Sequence, residues 1–413
     1  MVLRTHDGGP VELRRRAPWI SLAASALVAA GCSAGPSGPT AVHRRSPAST
    51  GFTTTTASPD RVDSPPTTTP AAVPTTVEVP VRQAPGWSTF TTTLPPVGGF
   101  TSVSCLSDTF CIAVGGGTDG TTSLTTGPGT AVSWDGASWS EPSVYFPAPA
   151  TGPVTAPILP AVSCTDGPTC VIADGSGHVS DGNGTDWSAP MAVPAPTPAS
   201  GSASGGSGPP PSAAVSCPTP TFCAVVDSTG RAYTLSDGVW GLPWPGGSNA
   251  PHSPAGPVGI SCPGPSDCTA VVGPSILDWN GVGWSDDPQP WTTSPAVGPT
   301  AVSCPTPSLC AVVNGTTVAM RITGGPWSAD PTVDPAGGLD SISCPSTSFC
   351  MASDRSGGVV TWNGTAWTPR DQVVPAATVY PGLATTVSCP VPTFCMVMNS
   401  DGDFATYSGT SLP

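Results

Sequence analysis

A short phrase recurs seven times along this chain: a β-branched residue followed by Ser-Cys, with a second Cys six positions after the first. It first occurs at 103–111 and last at 387–395, and successive first cysteines lie 59, 53, 45, 42, 40 and 45 residues apart. A period of about 40 to 50 residues that holds several short strands is typical of a propeller blade. The spacing therefore predicts an all-β fold, a seven-bladed β-propeller of four-stranded antiparallel blades. The repeats start near residues 101, 160, 213, 258, 300, 340 and 385.

Repeat six shows the expected strands most clearly. They are Ser341–Cys344, Phe349–Ser353, Val359–Trp362 and a fourth around Trp367 and Thr368. Asn363-Gly364 separates the last two, and Asn-Gly between β-rich segments is a strong hairpin signal. Related Trp-Asx-Gly…Trp-Ser phrases close other repeats, and their fixed positions favour tryptophan packing between blades over sugar stacking.

The two ends of the repeat region complement each other. Repeat seven stops at Pro413 without its closing Trp-Ser, whereas Gly86-Trp87-Ser88 precedes repeat one. We expect this early segment to pair with Phe404–Tyr407 as the outer strand of the last blade. Such pairing closes a propeller ring and leaves no free sheet edge.

Cysteine usage indicates a disulfide framework. Seven equally spaced pairs account for 14 of the 15 cysteines, and a zinc site would favour pairs two to four residues apart with a second pair or histidines nearby. A disulfide across the first hairpin of each blade fits the distance between opposed strand residues. The predicted bridges are Cys105–Cys111, Cys164–Cys170, Cys217–Cys223, Cys262–Cys268, Cys304–Cys310, Cys344–Cys350 and Cys389–Cys395.

The remaining cysteine, Cys32, follows an export signal. Residues 1–31 contain three consecutive arginines at 14–16 and then an apolar stretch too short to span a membrane. The segment 28–32, Val-Ala-Ala-Gly-Cys, resembles the bacterial lipobox, with Ala29 where Leu is commoner. This resemblance implies lipidation of Cys32 and attachment to the outer face of the cytoplasmic membrane; the alternative is simple secretion. Residues 32–84, rich in Pro, Thr and Ser, are expected to form a disordered stalk.

Charge excludes one class of partner. From residue 85 onward, four arginines face 20 aspartates and one glutamate, a formal charge of −17, and the chain has no lysine. A surface of that sign repels nucleic acid and anionic lipid. We therefore expect no nucleic-acid partner, and membrane contact only through the N-terminal lipid.

The candidate ligand face comprises the loops between the second and third strands and those that join each blade to the next, because loops on a rigid scaffold commonly carry binding residues. Its candidate residues are Asp174, His178, Asp227, Arg231, Asp354, Arg355, Asp401 and Asp403. The Asp- and Asn-rich segments 181–186 and 399–403 also resemble calcium loops in composition, but such residues are equally what tight turns require, and turn chemistry is the interpretation preferred. No resident metal or other cofactor is predicted.

In its Ser-Cys…Cys blades that end in Asn-Gly-x-x-Trp-Ser, the chain resembles secreted bacterial propeller-repeat lipoproteins of actinobacterial type. The resemblance covers residues 85–413 and implies architecture more than activity, since propellers host both enzymes and binders. Our hypothesis is a cell-surface lipoprotein with a non-catalytic binding module, either a protein scaffold or a binder of cell-wall polysaccharide. The alternative is a glycan-active hydrolase or lyase of the sialidase-like propeller type, for which no set of catalytic residues stands out.

Overall fold

The computed structural model describes most of the repeat region. The described residues are 86–91, 99–116, 128–146, 159–165, 169–193, 212–228, 230–241, 244–245, 258–288, 298–330, 332–335 and 337–409. The predicted signal segment 1–31 and the whole predicted stalk 32–84, including Cys32, precede them, so those predictions lie outside the described residues.

The described strands form seven sheets, one for each repeat phrase. Blade one contains β1 (Phe100–Ser107), β2 (Phe110–Gly115), β3 (Gly129–Trp134) and β4 (Ser143–Phe146). Blade two contains β5 (Ala161–Thr165), β6 (Thr169–Ala173), β7 (His178–Gly182) and β8 (Met191–Ala192). Blade three contains β9 (Ala213–Thr219), β10 (Phe222–Asp227), β11 (Arg231–Ser236), β12 (Val239–Trp240) and β13 (Trp244–Pro245), which also pairs with β11. Blade four contains β14 (Val258–Gly264), β15 (Asp267–Val272), β16 (Ser275–Trp279) and β17 (Trp284–Asp287).

The remaining blades repeat the pattern. Blade five contains β18 (Ala301–Thr306), β19 (Leu309–Asn314), β20 (Thr317–Ile322) and β21 (Ser328–Asp330). Blade six contains β22 (Leu339–Ser346), β23 (Phe349–Asp354), β24 (Gly358–Trp362) and β25 (Asp371–Gln372). Blade seven contains β26 (Thr386–Val391), β27 (Phe394–Met398) and β28 (Phe404–Ser408). All pairings within the blades are antiparallel, and the first strands of successive blades contact each other around a ring in which β26 meets β1. The predicted seven-bladed propeller is confirmed.

The described part of the chain contains no helix. It accordingly offers no helix with the length and apolar character needed to cross a membrane.

Each blade carries one disulfide across its first hairpin. The seven bridges join the predicted cysteine pairs, with Cα atoms 3.9 to 4.1 Å apart. Cys105 lies directly opposite Cys111 in the β1–β2 register, as Cys164 lies opposite Cys170 in β5–β6. The fixed spacing follows from this register, because opposed residues near the turn of a short hairpin bring their Cβ atoms close together.

The serine before each first cysteine links one blade to the next. Its hydroxyl accepts a hydrogen bond from the backbone N–H of the first cysteine in the following blade, at 2.9 to 3.0 Å. The seven links are Ser104 to Cys164, Ser163 to Cys217, Ser216 to Cys262, Ser261 to Cys304, Ser303 to Cys344, Ser343 to Cys389 and Ser388 to Cys105. They form a closed ring at the innermost strands, where the sheet edge would otherwise leave these N–H groups unpaired. We call it the serine ring.

The second strand of each blade lies between two neighbouring blades. In β10, Cys223 and Val225 pack against blade two, while Ala224 and Val226 pack against blade four. Side chains alternate between the two faces of a strand, so a strand buried on both faces is apolar throughout. Among the described residues, seven such clusters, one at each blade interface, form the core.

The Asx-Gly phrases form the outer hairpins as predicted. In blade six, Oδ1 of Asn363 accepts the backbone N–H groups of Thr365 and Ala366 at 3.0 Å, and Gly364 has a φ of 94° that favours glycine. Trp362 and Trp367 face each other across this turn with ring centroids 5.8 Å apart. The fourth strand differs from the prediction. Its pairing with β24 is a single bridge at Trp367, and pairing begins again only at β25. Pro369 lies between these two pairings and has no N–H to donate.

The early segment completes blade seven. Trp87 pairs with Tyr407 and Thr91 with Phe404 in antiparallel bridges, and the Ser88 N–H donates to the Thr406 carbonyl at 2.8 Å. The Trp87 ring packs on Tyr407 with centroids 5.5 Å apart. The segment thus supplies the fourth strand of the last blade, and the predicted closure is confirmed.

We expect Ser303→Ala to destabilise the propeller. The substitution removes the acceptor for the Cys344 amide, and a buried N–H left without a partner costs about 1–3 kcal/mol. Denaturant unfolding of the oxidised protein measures the loss. Ser328→Ala in the exposed strand β21 is the control and should change the free energy of unfolding by less than about 0.5 kcal/mol. Equal effects of the two substitutions would contradict the role assigned to the serine ring.

Candidate functional site: the funnel and its surrounding turns

A funnel opens at the end of the propeller where the innermost strands begin. It encloses a cavity of about 420 Å³, within the size range of ligand pockets. The β-branched residue of every repeat phrase lines it: Val103, Val162, Val215, Ile260, Val302, Ile342 and Val387. The repeat phrase therefore builds three features in succession, namely the funnel wall, the serine ring and the disulfide.

Two charged residues line the funnel among the described residues, Asp340 and Arg355. Nε of Arg355 lies 3.0 and 2.9 Å from the two carboxylate oxygens of Asp340. The Asp340 side chain is 3% exposed, whereas that of Arg355 is 53% exposed. The two terminal guanidinium nitrogens of Arg355 have no hydrogen-bond partner among the residues that the structure describes. Among the described residues, the funnel thus presents one exposed cation, Arg355, which is paired with the buried carboxylate of Asp340.

Burial dominates the acidity of Asp340. The pKa of this carboxyl is raised from 3.8 to about 6: burial is the largest cause, the hydrogen bond and charge of Arg355 oppose it, and the Asp354 carboxylate adds to it. Asp340 therefore gains a proton as the pH falls through about 6. Below that pH, Arg355 has lost its counter-charge.

A buried Asx residue ends the second strand in several blades and caps the following turn. Oδ1 of Asp174 accepts the N–H groups of Ser176 and His178 at 2.9 and 2.8 Å. The same capping is made by Asp227 in blade three, Asp354 in blade six and Asn399 in blade seven. The three aspartates are at most 2% exposed. Turn formation accounts for these carboxylates, a structural role that the sequence analysis had not separated from ligand binding.

Four of the eight candidate residues come together where blades two and three meet. His178 places Nδ1 3.1 Å from Oδ2 of Asp174, and Nε of Arg231 lies 2.6 Å from Oδ2 of Asp227. A Cβ on Gly177 would lie 3.7 Å from the Tyr233 hydroxyl and 3.9 Å from a terminal nitrogen of Arg231, so this turn covers both groups.

The environment shifts the acidity of two groups in this cluster. The hydrogen bond to Asp174 raises the pKa of His178 above 6.5, against the lowering effect of burial. Burial raises the pKa of Tyr233 to about 12, with Arg231 opposing and Asp227 and Asp174 assisting. The Tyr233 hydroxyl is buried and has no hydrogen-bond partner among the described residues.

The other four candidates have separate partners. Arg370 binds Asp354, with one of its terminal nitrogens 3.1 Å from Oδ1, and lies 3.9 Å from Asp334. Asp403 receives a hydrogen bond at 3.0 Å from the side chain of Asn399. Of the eight candidates, only Arg355 lines the funnel.

Asp401 binds the backbone of the connection between blades six and seven. Its carboxylate accepts the backbone N–H groups of Thr378, Val379 and Tyr380 at 2.5 to 3.1 Å. Burial raises the pKa of Asp401, but these hydrogen bonds outweigh it and hold the pKa below 3.8. The residue is an ionised structural acceptor.

An ion cluster between blades four and five was not predicted from the sequence. Arg321 of β20 reaches across to Asp278 at 2.5 Å and also binds Asp287, whose carboxylate accepts the Trp327 indole N–H at 2.7 Å. Burial raises the pKa of Asp287 and Asp278 raises it further, while Trp327 and Arg321 lower it. The scarcity of arginine was the available signal, since each of the four from residue 85 onward is paired with aspartate.

The calcium-like turns engage their oxygens locally. Oδ1 of Asn183 accepts the N–H groups of Thr185 and Asp186 at 3.0 and 2.9 Å, and Oδ1 of Asn399 accepts those of Asp401 and Asp403. Across the described ranges, no group of three or more His, Cys, Asp or Glu side chains is placed to hold a metal ion.

Comparisons with known proteins place the fold and leave the family open. The chain matches no known protein family and no curated protein. Among solved structures it is similar to YCF48 bound to D1 peptide, at a TM-score of 0.53 and 14% identity, over 80% of this chain and 99% of that one. It is also similar to a catalytically inactive variant of virginiamycin B lyase from Staphylococcus aureus with quinupristin, at a TM-score of 0.55 and 7% identity, over 78% and 99%. It is likewise similar to a streptogramin B lyase, at a TM-score of 0.52 and 12% identity, over 78% of this chain and 96% of that one. At these identities the likeness shows the propeller fold alone.

We expect Asp174→Asn to lower the pKa of His178. Asparagine keeps the oxygen that caps the turn but removes the charge that favours the imidazolium, and ring signals followed by NMR across a pH titration report the change. The pairing stabilises the folded protein when His178 is protonated and is lost as the pH rises through its raised pKa, so the variant should lose that pH dependence. Asp186→Asn, in the exposed outer turn of the same blade, is the control. An unchanged titration in Asp174→Asn would refute the assigned cause.

Proposed function

We propose that this chain is an exported lipoprotein whose propeller is a binding module for an extended segment of an envelope protein. In this proposal, lipid on Cys32 attaches the chain to the outer face of the cytoplasmic membrane, and the stalk 32–84 holds the propeller away from it. The observation that carries the binding function is the funnel with its small apolar wall and its solvent-facing cation, Arg355.

The lining of the funnel favours a polypeptide over a sugar. Sugar sites commonly offer an aromatic ring on which the sugar stacks, and none of the described residues that line the cavity is aromatic. The tryptophans of the outer hairpins pack instead in pairs, such as Trp134 with Trp139 and Trp279 with Trp284. An extended peptide needs only an apolar wall for its side chains and a few polar groups to fix its orientation. The solved structure of YCF48 with a peptide gives one instance of a similar propeller bound to a polypeptide segment.

The second candidate is a glycan-active hydrolase or lyase. In its favour, His178 is held by Asp174 and 45% of its side chain is exposed, the arrangement of a general base, and lyases occur among the similar propellers. We rank it second because hydrolysis by paired acids needs two available carboxyl groups. Asp174 and Asp227 beside His178 are buried and already capping turns.

Site-specific photo-crosslinking on intact cells tests the binding function. The probe residue replaces Ala384 in the funnel lining or, as a control, Val282, which is 88% exposed in the outer hairpin of blade four. We expect position 384 to capture a discrete protein, with a peptide of that protein identified at the crosslink, and position 282 to capture none. Equal labelling at both positions, capture of glycan only, or no product at 384 would overturn the proposal.

Cys32→Ser tests the attachment. Because the sulfur of Cys32 would carry the lipid, we expect the variant to pass from the membrane fraction into the medium or to remain as an unprocessed precursor. Fractionation of cells with radiolabelled palmitate measures both outcomes. Incorporation of label into the Cys32→Ser chain, or an unlabelled wild-type chain, would contradict lipidation at this residue.

A further inference from the structure

The funnel contains a guanidinium whose hydrogen-bonding capacity is only partly used. Nε of Arg355 binds Asp340, and both terminal nitrogens lack a hydrogen-bond partner among the described residues, in a side chain that is 53% exposed. A guanidinium presents its donors in a planar fork that matches the two oxygens of a carboxylate. The unused edge of Arg355 therefore has the geometry of a carboxylate receptor.

Arg355 differs from the other arginines of the propeller. The side chains of Arg231, Arg321 and Arg370 are 25, 15 and 20% exposed. Arg321 and Arg370 each bind an aspartate through a terminal nitrogen, and Arg231 binds Asp227 through Nε. Their contacts join blades or cap turns. Arg355 combines 53% exposure with a place in a cavity, so structural pairing does not account for its exposed edge.

The groups behind Arg355 fix its position. Asp340, at the start of β22, is buried and holds Nε, while the Arg355 N–H donates to the Gly338 carbonyl at 3.2 Å. Gly338 has a φ of 91°, and a Cβ there would lie 3.8 Å from Cγ of Arg355, so the turn supports the side-chain stem. A cation fixed in this way loses less conformational entropy when it binds a ligand.

We propose that the funnel recognises its polypeptide ligand through a carboxylate, bound by the two terminal nitrogens of Arg355. This inference rests on the proposed function and specifies the chemistry of its ligand. The carboxylate belongs either to the free C-terminus of the segment or to an Asp or Glu side chain, and both present the same two oxygens.

Asp340 makes this recognition sensitive to acid. Two charged groups act on it directly: Arg355, with which it pairs, and Asp354. Asp354 is in turn bound by Arg370, which also lies near Asp334. A bound carboxylate would share Arg355 with Asp340, which is unfavourable for two negative charges. Protonation of Asp340 as the pH falls through about 6 relieves that repulsion. Binding should therefore tighten in mild acid.

The test uses the oxidised full-length protein and arrayed decapeptides made in three matched forms. One form has a free C-terminal carboxylate and no acidic side chain, the second has an amidated end and one internal Glu, and the third has an amidated end and no acid. We expect wild-type protein to bind one of the first two forms about ten-fold or more tightly than the third, the range of a charge-assisted hydrogen-bond pair. The form that binds identifies the source of the carboxylate.

Two variants should change the binding of carboxylate peptides in opposite directions, and a third serves as the control. Arg355→Gln should abolish the preference for acidic peptides while leaving the weak binding of the uncharged form. Asp340→Asn should bind carboxylate peptides at neutral pH as tightly as wild type does at about pH 5, where the peptide carboxylate remains largely ionised. Asp371→Asn, exposed on β25 of the same blade, should behave as wild type. Retention of the weak binding of the uncharged form by Arg355→Gln excludes misfolding as the cause of its lost preference.

The outcomes separate this inference from the proposed function. If wild type binds peptides in the funnel without preferring a carboxylate, or if Arg355→Gln keeps the preference, carboxylate recognition is wrong and the binding function stands. If no peptide form binds and position 384 captures no protein, both are wrong. A preference that weakens in acid would overturn the role assigned to Asp340.

Discussion

The serine ring is the constraint on which the rest of the propeller depends. Neighbouring blades meet through apolar layers that combine Val, Ala and Cys with aromatic side chains such as Tyr233 and Trp284, and their innermost strands are sheet edges. One hydroxyl per blade satisfies an inner-edge N–H of the next blade, so a polar group that would destabilise the centre instead joins two sheets. Because the seven bonds close on themselves, the ring sets the position of each funnel residue relative to all the others. The fixed position of Arg355 above that ring depends on this rigidity.

Features within one repeat could be predicted from the sequence because their partners are close in the chain and their pattern recurs. The Cys pairs and the Asx-Gly hairpins are of this kind, and Trp87 was found because repeat seven lacked an equivalent residue. The contacts of Arg355 and Arg321 could not be predicted. Arg321 contacts residues of the preceding blade, 43 and 34 positions earlier, and such a contact depends on how two blades rotate against each other. The interruption of the fourth strand at Pro369 was visible in the sequence, yet the pairing on either side of it depends on register.

Electrostatics explains why few groups suffice to define a site here. In a domain with a formal charge of −17, four arginines are surrounded by aspartates, and all four are paired. Arg231 and Arg370 pair with Asp227 and Asp354, which are buried and also cap turns, and Arg321 joins blades four and five. The turns that the sequence singled out therefore divide into a structural set and one residue, Arg355, whose charge is offered to solvent inside a cavity.

The placement of the cysteines also bears on how the molecule is made. Fourteen cysteines can combine in a very large number of ways, yet each native partner lies only six positions away. A thiol therefore meets its correct partner as soon as one hairpin has formed, because the effective concentration of that partner exceeds that of any distant cysteine. Pairing errors are avoided by proximity along the chain, without help from the finished ring. A new repeat added by duplication would bring its own bridge with it, so the number of blades could change during evolution without any existing disulfide being rewired.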